Sequence, residues 1–583
     1  GKMRAGEDCG EVEGEADEPL PGAFLREVGA AAPGSFLLLQ APEGPAQLLE
    51  RGLEQLGGGD LAGSLDTFTT CLAVLRSQDD GAAQQVLVDV PDLPAMLSRD
   101  YAICECLLRI AHIHLQDGRW EAAKASLRRA LAAFPESTPG QLSLATILGM
   151  ESASSSAGEV ERLLVSAAQP TPPVVDGTVP SSGGGRGRGG PIRGGGPSPS
   201  SSETASASSA GGGAGFLAPV LLASERDSEA RREARSRLAL LWYQTGKTSR
   251  ADALVRSMGY RLRLRDAILI HDDPQPDTKL LDKARIEKMD THYTIIDDAL
   301  PSEMLQSMLR VFVSEQDAGI PVQIRNGRAP ATPFWREHRY REIHGEYFSY
   351  AHKLEDKPTN GLDVVIQHLW RIAQKHHPES RDAKFAEWWA HRRPHSSGHQ
   401  CHYDSENEGK GEVHHPIASS VLYLSESVGG PTLITDQIRG QGIAENGVMA
   451  FPKLNRLVIF DGKVLHGVIP GVGVKEDGAR RVTFMCAFWD RLNVRPRAET
   501  PGAAQMMPLT NCKHYSWHRG FLRINKDDKG NPDFGLGKKV CGGRPEGLTR
   551  LAKVWEFVHQ GSSYRSNAKK ETNLSYEDCF QGF

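Results

Sequence analysis

The feature that most constrains this chain is a change of period near Tyr293. Before it, apolar residues recur at helical spacing in two blocks, a Leu- and Ala-rich one from about Ala41 to Glu151 and another from Glu225 to about Ala267. From Tyr293 to Asp490 the pattern becomes β-branched and aromatic runs separated by Gly, Pro and Asn, the signature of strands. The chain is therefore expected to be α+β, helical first and sheet-built later. Between the helical blocks, Ser152 to Gly215 is mostly Ser, Gly and Pro. Such a stretch buries too little surface to offset its chain entropy and is expected to be unstructured. The same holds for the acidic, turn-rich start.

These shifts divide the chain into an unstructured acidic segment at 1–40, a helical region at 41–151, the insertion at 152–215 and further helix at 216–290. A strand-rich domain at 291–496 and an extension at 497–583 complete it. At 583 residues, two to four domains are expected, and 39% hydrophobic residues suffice for a large core. Lys and Arg (68) nearly balance Asp and Glu (73), leaving −5, so no global field draws the chain to nucleic acid or an anionic membrane. No window approaches the roughly 18 consecutive apolar residues of a membrane span. Nine scattered Cys without a CxxC pair disfavour a disulfide framework and a Cys-based zinc site. The chain begins at Gly1 and reads as a fragment, so a targeting signal is left open; a soluble protein of cytoplasm or nucleus is the favoured expectation.

In the first helical block, Leu107, Ile110, Ala111 and His114, then Gly118, Ala123, Leu127, Ala130 and Pro135, have the spacing of a tetratricopeptide repeat. Small residues at Ala111 and Ala123 let two helices approach closely, while Trp120, Ala123, Leu127, Ala130 and Phe134 share one face. Weaker copies surround Gly59 and Gly246. Generic helical hairpins explain the same spacing. Either way, this region offers a docking surface and no visible chemistry. Within the insertion, Arg186, Arg188 and Arg193 form an RGG-like run, but no aromatic is interleaved, so a surface loop is expected and not an RNA-binding tract.

The chemistry lies in the strand-rich block. Gln400 to Ser405 reads as extended, and strand alternation puts His402 and Asp404 on one face, with Tyr403 opposite. An imidazole and a carboxylate projecting together suit an Fe(II) ion, and a third ligand must come from elsewhere. Arg456 to Asp461 reads as a strand, Gly462 as a turn, and His466 follows. Arg480 to Trp489 is a strong strand whose odd-numbered face carries Arg481 and Thr483.

In this order, the residues resemble the 2-oxoglutarate/Fe(II)-dependent oxygenases of the prolyl hydroxylase branch, over about Tyr293 to Asp490. The resemblance implies a double-stranded β-helix, or jelly roll, with His402, Asp404 and His466 as the catalytic metal triad. It makes Arg481 the anchor for the distal carboxylate of 2-oxoglutarate, Thr483 its neighbouring hydroxyl and Tyr423 a further contact. Fe(II), 2-oxoglutarate and O2, with ascorbate as a possible addition, would be the cofactors, and a substrate C–H bond would be hydroxylated with release of succinate and CO2. Collagen-type prolyl 4-hydroxylases carry Lys at the anchor, so Arg481 puts their substrate in doubt here. Arg480, on the other face, is expected to be solvated or paired.

Trp389, His391 and Arg393 share a face by alternation and are candidates for the substrate mouth, though aromatic stripes on strands commonly pack in cores. His395 and His399 fall where Pro394, Ser396, Ser397 and Gly398 predict a loop, which argues against a zinc cluster. His414 and His415 sit in an acidic, Gly-rich connection and are expected to be exposed. A helix is expected from Leu548 to Gln560, inside an otherwise loop-like, solvated extension; the sequon at Asn573 carries no assignment. Two alternatives accompany the reading of a peptide-hydroxylating enzyme with a substrate-docking helical region. They are an interaction scaffold whose oxygenase domain only binds, and an oxygenase acting on a small molecule.

Overall fold

The computed structural model describes residues 43–77, 85–87, 96–116, 119–150, 157–169, 223–271, 281–314, 332–338, 340, 348–406, 413–473, 479–497, 503–507, 516–517, 521, 538–539, 547–558 and 575–583. The expectations for residues 1–40, for the RGG-like run and for Asn573 lie outside these residues. So does most of the expected insertion. Its beginning is a correction: Ala157–Ala167 is a helix with Leu164 and Ala167 buried. Val160, Leu163, Leu164 and Ala167 repeat at i, i+3, i+4 and i+7, a face hidden when composition is averaged over the whole Ser-rich stretch.

The helical region runs through α1 (Pro45–Gly57), α2 (Leu61–Ser77), the short ladder β1 (Gln85–Leu87) and β2 (Met96–Ser98), α3 (Arg99–Gln116), α4 (Trp120–Ala133), α5 (Thr138–Met150), α6 (Ala157–Ala167), α7 (Ala223–Gln244) and α8 (Thr248–Ser257). Helices pack in consecutive pairs. Gly59 (φ 82°) and Gly246 (φ 75°) turn α1 into α2 and α7 into α8 in the left-handed region that glycine tolerates. Fully buried Ala111 and Ala123 allow α3 and α4 to approach. Gly52 does the same for α1 and α2, where an added Cβ would lie 2.7 Å from the Phe68 ring.

The chain then forms β3 (Leu262–Leu264), α9 (Asp266–Leu269), α10 (Lys283–Met289), β4 (Tyr293–Asp297), α11 (Ser302–Phe312), α12 (Pro333–Glu337), β5 (Tyr350–Lys353) and α13 (Gly361–His376). The strands of the site follow: β6 (Phe385–Pro394), β7 (His399–His402), β8 (Ala418–Tyr423), β9 (Thr432–Ile438), β10 (Gly447–Ala450), β11 (Leu457–Asp461), β12 (Val464–Val468) and β13 (Arg480–Trp489). Last come β14 (Gln505–Met506), β15 (Lys538–Lys539), β16 (Leu548–Leu551), β17 (Trp555–Phe557) and β18 (Cys579–Phe580).

Two sheets carry the architecture, one ordered β14-β5-β6-β13-β8-β11-β4-β15 and the other β16-β10-β9-β12-β7. Their inner faces share one core: Tyr293, Ile295, Val421, Val458, Phe460 and Met485 meet Ile434, Val448 and Val464. The outer face of the larger sheet packs Leu422, Leu457, Phe484 and Phe488 against α11 and α13. The outer face of the smaller sheet packs Leu433, Met449 and Leu465 against Leu142, Ala145, Leu238 and Tyr243 of the helical region. Strands covered on both faces read as nearly continuous apolar runs, which explains why every residue of β13 is buried. The protein is thus a mixed helix-and-sheet structure, and among the described residues no helix is long and apolar enough to cross a membrane.

Among the described residues of the C-terminal extension most are buried or half-buried and none is in an α-helix, against the expectation of a solvated extension with one helix. The segment expected as a helix from Leu548 to Gln560 forms β16 on the edge of the smaller sheet and β17 against β3. Leu548, Leu551, Trp555 and Val558 fit helical spacing, but Gly547 (φ 85°) starts the run, and β-branched and aromatic residues favour the open strand edges β10 and β3. Trp517 and Phe521 enter the core beneath α11 and α12.

Candidate metal centre

The two candidate histidine ligands are set by strand register. β7 pairs antiparallel with β12 so that His402 stands directly opposite His466. Directly opposed residues project to the same face with Cβ atoms about 5 Å apart. Their rings lie 4.4 Å apart between centroids. Strand β7 stops at His402, so Asp404 is placed by the stretch just after the strand and not, as expected, by continued alternation. Its Oδ1 still lies 3.4 Å from His402 Nε2 and 3.6 Å from His466 Nε2. One donor atom from each of the three residues falls within 4.8 Å of the others.

Backbone carbonyls orient both rings. His402 Nδ1 donates to Gln400 O (2.8 Å) and His466 Nδ1 to Val464 O (3.1 Å). A carbonyl can only accept, so Nδ1 carries the proton and Nε2 presents its lone pair to the shared point. Ser419 Oγ donates to Asp404 Oδ2 (2.5 Å), which turns Oδ1 toward the imidazoles. Burial opposes charge on Asp404, yet His466, His402 and Ser419 hold its carboxyl well below the usual range. Burial brings His466 down to about 4 against the pull of Asp404. For His402, burial acts downward, but the bond to Asp404 outweighs it and the value rises. Two neutral-capable nitrogens and a standing carboxylate are the donor set that Fe(II) and similar divalent ions accept.

Arg481 and Thr483 lie on the inner face of β13, with Tyr423 of β8 directly opposite Thr483. Arg481 Nη2 donates to Thr432 Oγ1 (3.1 Å), Thr432 Oγ1 to the Tyr423 hydroxyl (2.6 Å), and that hydroxyl to Ala450 O (2.9 Å). The directions follow from the ends, since guanidinium only donates and carbonyl only accepts. The Arg481 guanidinium also sits 5.1 Å from the centre of the Tyr423 ring. Yet its Nε and the Thr483 hydroxyl are buried without a partner, and among the described residues no carboxylate pairs with Arg481. Burial pulls its pKa downward. Gly429 (φ 82°) lets a loop cross over this side chain, because a Cβ there would lie 2.3 Å from Arg481 Cδ.

The expectation for Arg480 divides. It is buried on the outer face, donating to Ala479 O, and so is not solvated. His395 plays a structural part. Its Nδ1 accepts from Gly429 N (2.9 Å) and its Nε2 donates to Val472 O (3.0 Å), which fixes the loop over Arg481. His414 and His415 are not exposed. His414 bridges Asp490 (2.8 Å) and Glu406 (3.4 Å), and His415 Nδ1 donates to Asp404 O (2.6 Å). His414 and His415 pack back against Glu406 and Asp404, so local polarity gave the wrong expectation.

Trp389, His391 and Arg393 lie on the inner face of β6, half-buried and opposite Met485, Thr483 and Arg481 respectively. His391 Nδ1 and the Tyr340 hydroxyl are 3.3 Å apart. His399 stacks on His402 at 4.6 Å. Burial, then the neighbouring charges of Arg393 and Arg481, pushes His391 well below its ordinary value. His399 is pushed down by burial, His402 and Arg393.

Sequence reasoning missed Thr432, Ser419 and Gly429, whose parts depend on neighbours far along the chain. It also missed the tail. β7 is an edge strand, and its outward backbone groups are taken by side chains: Gln581 Oε1 accepts from Cys401 N (2.6 Å), and the Tyr576 hydroxyl donates to Cys401 O. No local signal marks Tyr576 or Gln581.

No family profile matches the chain, and no curated protein matches it. Among solved structures it is similar to a prolyl-4-hydroxylase from Pseudomonas putida, at 16% identity over 36% of this chain and 94% of that one, with a TM-score of 0.22. It is similar to AviO1 from Streptomyces viridochromogenes Tue57 at 12% identity over 36% and 95%, with a TM-score of 0.21. HygX from Streptomyces hygroscopicus, with iron bound, is similar at 13% identity over 39% and 96%, also with a TM-score of 0.21.

Proposed function

We propose that the chain is an Fe(II)- and 2-oxoglutarate-dependent oxygenase that hydroxylates a side chain of a protein or peptide, with its two-sheet sandwich acting as a double-stranded β-helix. One observation carries the reading: two imidazoles and a carboxylate converge in the same interior as a buried arginine that no described carboxylate neutralises. A buried unpaired cation costs several kcal/mol unless a ligand completes it. A dicarboxylate that chelates the metal at one end and meets Arg481 at the other fits both features.

When bound, Fe(II), 2-oxoglutarate and O2 supply the oxidising chemistry: one oxygen atom goes to the substrate C–H bond, the other to succinate, and CO2 is released; ascorbate would keep the iron ferrous. His402 Nε2, His466 Nε2 and Asp404 Oδ1 hold the metal, and three ligands leave positions open for the co-substrate. Arg481 takes the distal carboxylate through charge-assisted hydrogen bonds, with the Thr483 hydroxyl beside it. Tyr423 already bonds Thr432 and Ala450, so its part is to hold Thr432 in place beneath Arg481. The helical region, continuous in packing with the smaller sheet, is the surface that would recruit the substrate protein.

The experiment is uncoupled turnover. Purified protein with Fe(II), ascorbate and 2-oxoglutarate is expected to release succinate, and His402→Ala or His466→Ala to abolish the release. His414→Ala, which touches no ligand atom, is expected to retain it. Succinate release that survives both ligand changes would show the assignment to be wrong.

A further inference from the structure

The molecule holds more positive charge around the site than the proposed reaction uses. Arg393 stands directly opposite Arg481 across the β6–β13 ladder, on the face that looks toward the metal triad. Like charges placed directly opposite on a sheet are destabilising. Arg393 Nε is nonetheless buried without a hydrogen-bond partner, and among the described residues no carboxylate pairs with it. Among the described residues the groups on this face around it are Arg481, His391 against Tyr340, and His399 stacked on His402, none of them a carboxylate. Among the described residues, Asp404 is the one carboxylate engaged with the triad histidines.

The charges can be counted on the reading proposed above. A divalent metal and Arg481 together carry three positive charges. Asp404 and doubly ionised 2-oxoglutarate carry three negative ones. Burial keeps His391, which stands opposite Thr483 on the same face, neutral. The loaded site is therefore balanced without Arg393, and its guanidinium is left over, half-buried, on the same sheet face as Arg481. A site one positive charge in excess is built for one further negative charge.

We propose that Arg393 is a specificity-determining residue that binds a carboxylate of the primary substrate, so that the target bears an acidic group close to the carbon to be oxidised. This rests on the reading of Arg481 as the co-substrate anchor. The carboxylate belongs either to an Asp or Glu side chain in a peptide or to a small free acid, and Arg is the residue suited to grip either through its planar fork. His391, two residues before Arg393 on the same strand face, then lies beside the anion.

The test uses the full chain loaded with Mn(II) under anaerobic conditions, so that binding and not turnover is read. Three pools of end-capped hexapeptides built from Ala, Gly, Ser and Pro carry one fixed Asp or Glu, one fixed Asn or Gln, or one fixed Lys. Propionate serves as the free-acid probe. With 2-oxoglutarate present, the acidic pool or propionate is expected to bind about tenfold or more tighter than the amide and Lys pools, a difference of about 1.4 kcal/mol. Whichever of the two binds tighter identifies the source of the carboxylate. In Arg393→Gln the preference is expected to fall to about one, and in Arg393→Lys to be partly kept. Because Arg393→Gln relieves a like-charge pair, its thermal midpoint is expected to equal or exceed that of the wild type. Equal binding of all pools by the wild type, or a preference unchanged in Arg393→Gln, overturns the proposal. So does a loss of 2-oxoglutarate affinity in Arg393→Gln as large as in Arg481→Gln, which would make Arg393 a second anchor. Failure of the wild type to bind 2-oxoglutarate would instead strike the underlying reading, and is measured separately in the same samples.

Discussion

Arg480 and Arg481 are adjacent, both buried and chemically identical, yet strand alternation sends them to opposite faces of β13. Arg481 looks into the interior that holds the triad, while Arg480 lies on the face packed against helices. Arg481→Ala is therefore expected to raise the 2-oxoglutarate concentration needed for half-maximal succinate release at least about tenfold, the loss of one charge-assisted contact. Arg480→Ala is expected to lower the thermal midpoint while leaving that requirement within about twofold. Equal effects on the requirement would reject the face assignment. At this scale the cluster of His402, Asp404 and His466 was legible because two imidazoles and a carboxylate stand in recognisable strand context. Thr432, Ser419 and Gly429 were not, since a hydroxyl or a glycine gains meaning only when a distant strand brings its partner. Asp404 shows a subtler limit: it reaches the expected place although its strand ends two residues earlier.

Elements succeed or fail on what covers their faces and edges. β13 was readable as a strong strand and the Trp389–Arg393 part of β6 by alternation, and the hairpins around Gly59 and Gly246 as helical spacing interrupted by glycine. Helix α6 was hidden by the composition around it, and β16 and β17 by apolar spacing that fits helix and strand alike. The tail was invisible because its role is to satisfy an edge. Tyr576 and Gln581 occupy Cys401 O and N as a neighbouring strand would, next to the proposed metal ligand His402. Replacing Gln581 by Leu leaves a buried backbone N–H unpaired, a cost of about 1–3 kcal/mol. We expect Gln581→Leu to weaken Co(II) binding several-fold and to alter the visible Co(II) spectrum, whereas Gln581→Glu, which keeps the acceptor, restores both. An unchanged spectrum in Gln581→Leu would mean that the tail only shields the edge. On the helical side, Gly52→Val is expected to cost about 1–3 kcal/mol by driving a side chain into Phe68, read as a lower thermal midpoint.

The whole molecule is held by cores that cross the expected boundaries. Leu142, Tyr243, Leu433, Leu465 and Phe580 belong to one cluster, so the helical region, the smaller sheet and the tail bury one another. Pattern reading gave the order of helical and strand blocks but no sign of this sharing, because composition shifts mark linkers and not interfaces. A second consequence is acid sensitivity. His338 is buried between Phe334, Phe348 and Tyr350, and burial lowers it to about 4. The unfolded chain takes up this proton near pH 6.5, the folded chain only near 4. Between those values the unfolded state binds more protons, so stability is full above about pH 6.5 and falls as pH drops toward 4, by roughly 3 kcal/mol for this one group. His338→Phe is expected to flatten the slope of unfolding free energy in that window. A variant with the wild-type slope would assign the acid sensitivity to other buried histidines.

The proposed chemistry requires that His402, Asp404 and His466 grip one divalent ion. Equilibrium dialysis of the apoprotein against Fe(II), without O2 and with 2-oxoglutarate, reads that grip as a stoichiometry. One iron per wild-type chain is expected, none in His402→Ala or His466→Ala, and one in His414→Ala. Wild-type protein that takes up no iron, or ligand variants that keep a full equivalent, would contradict it.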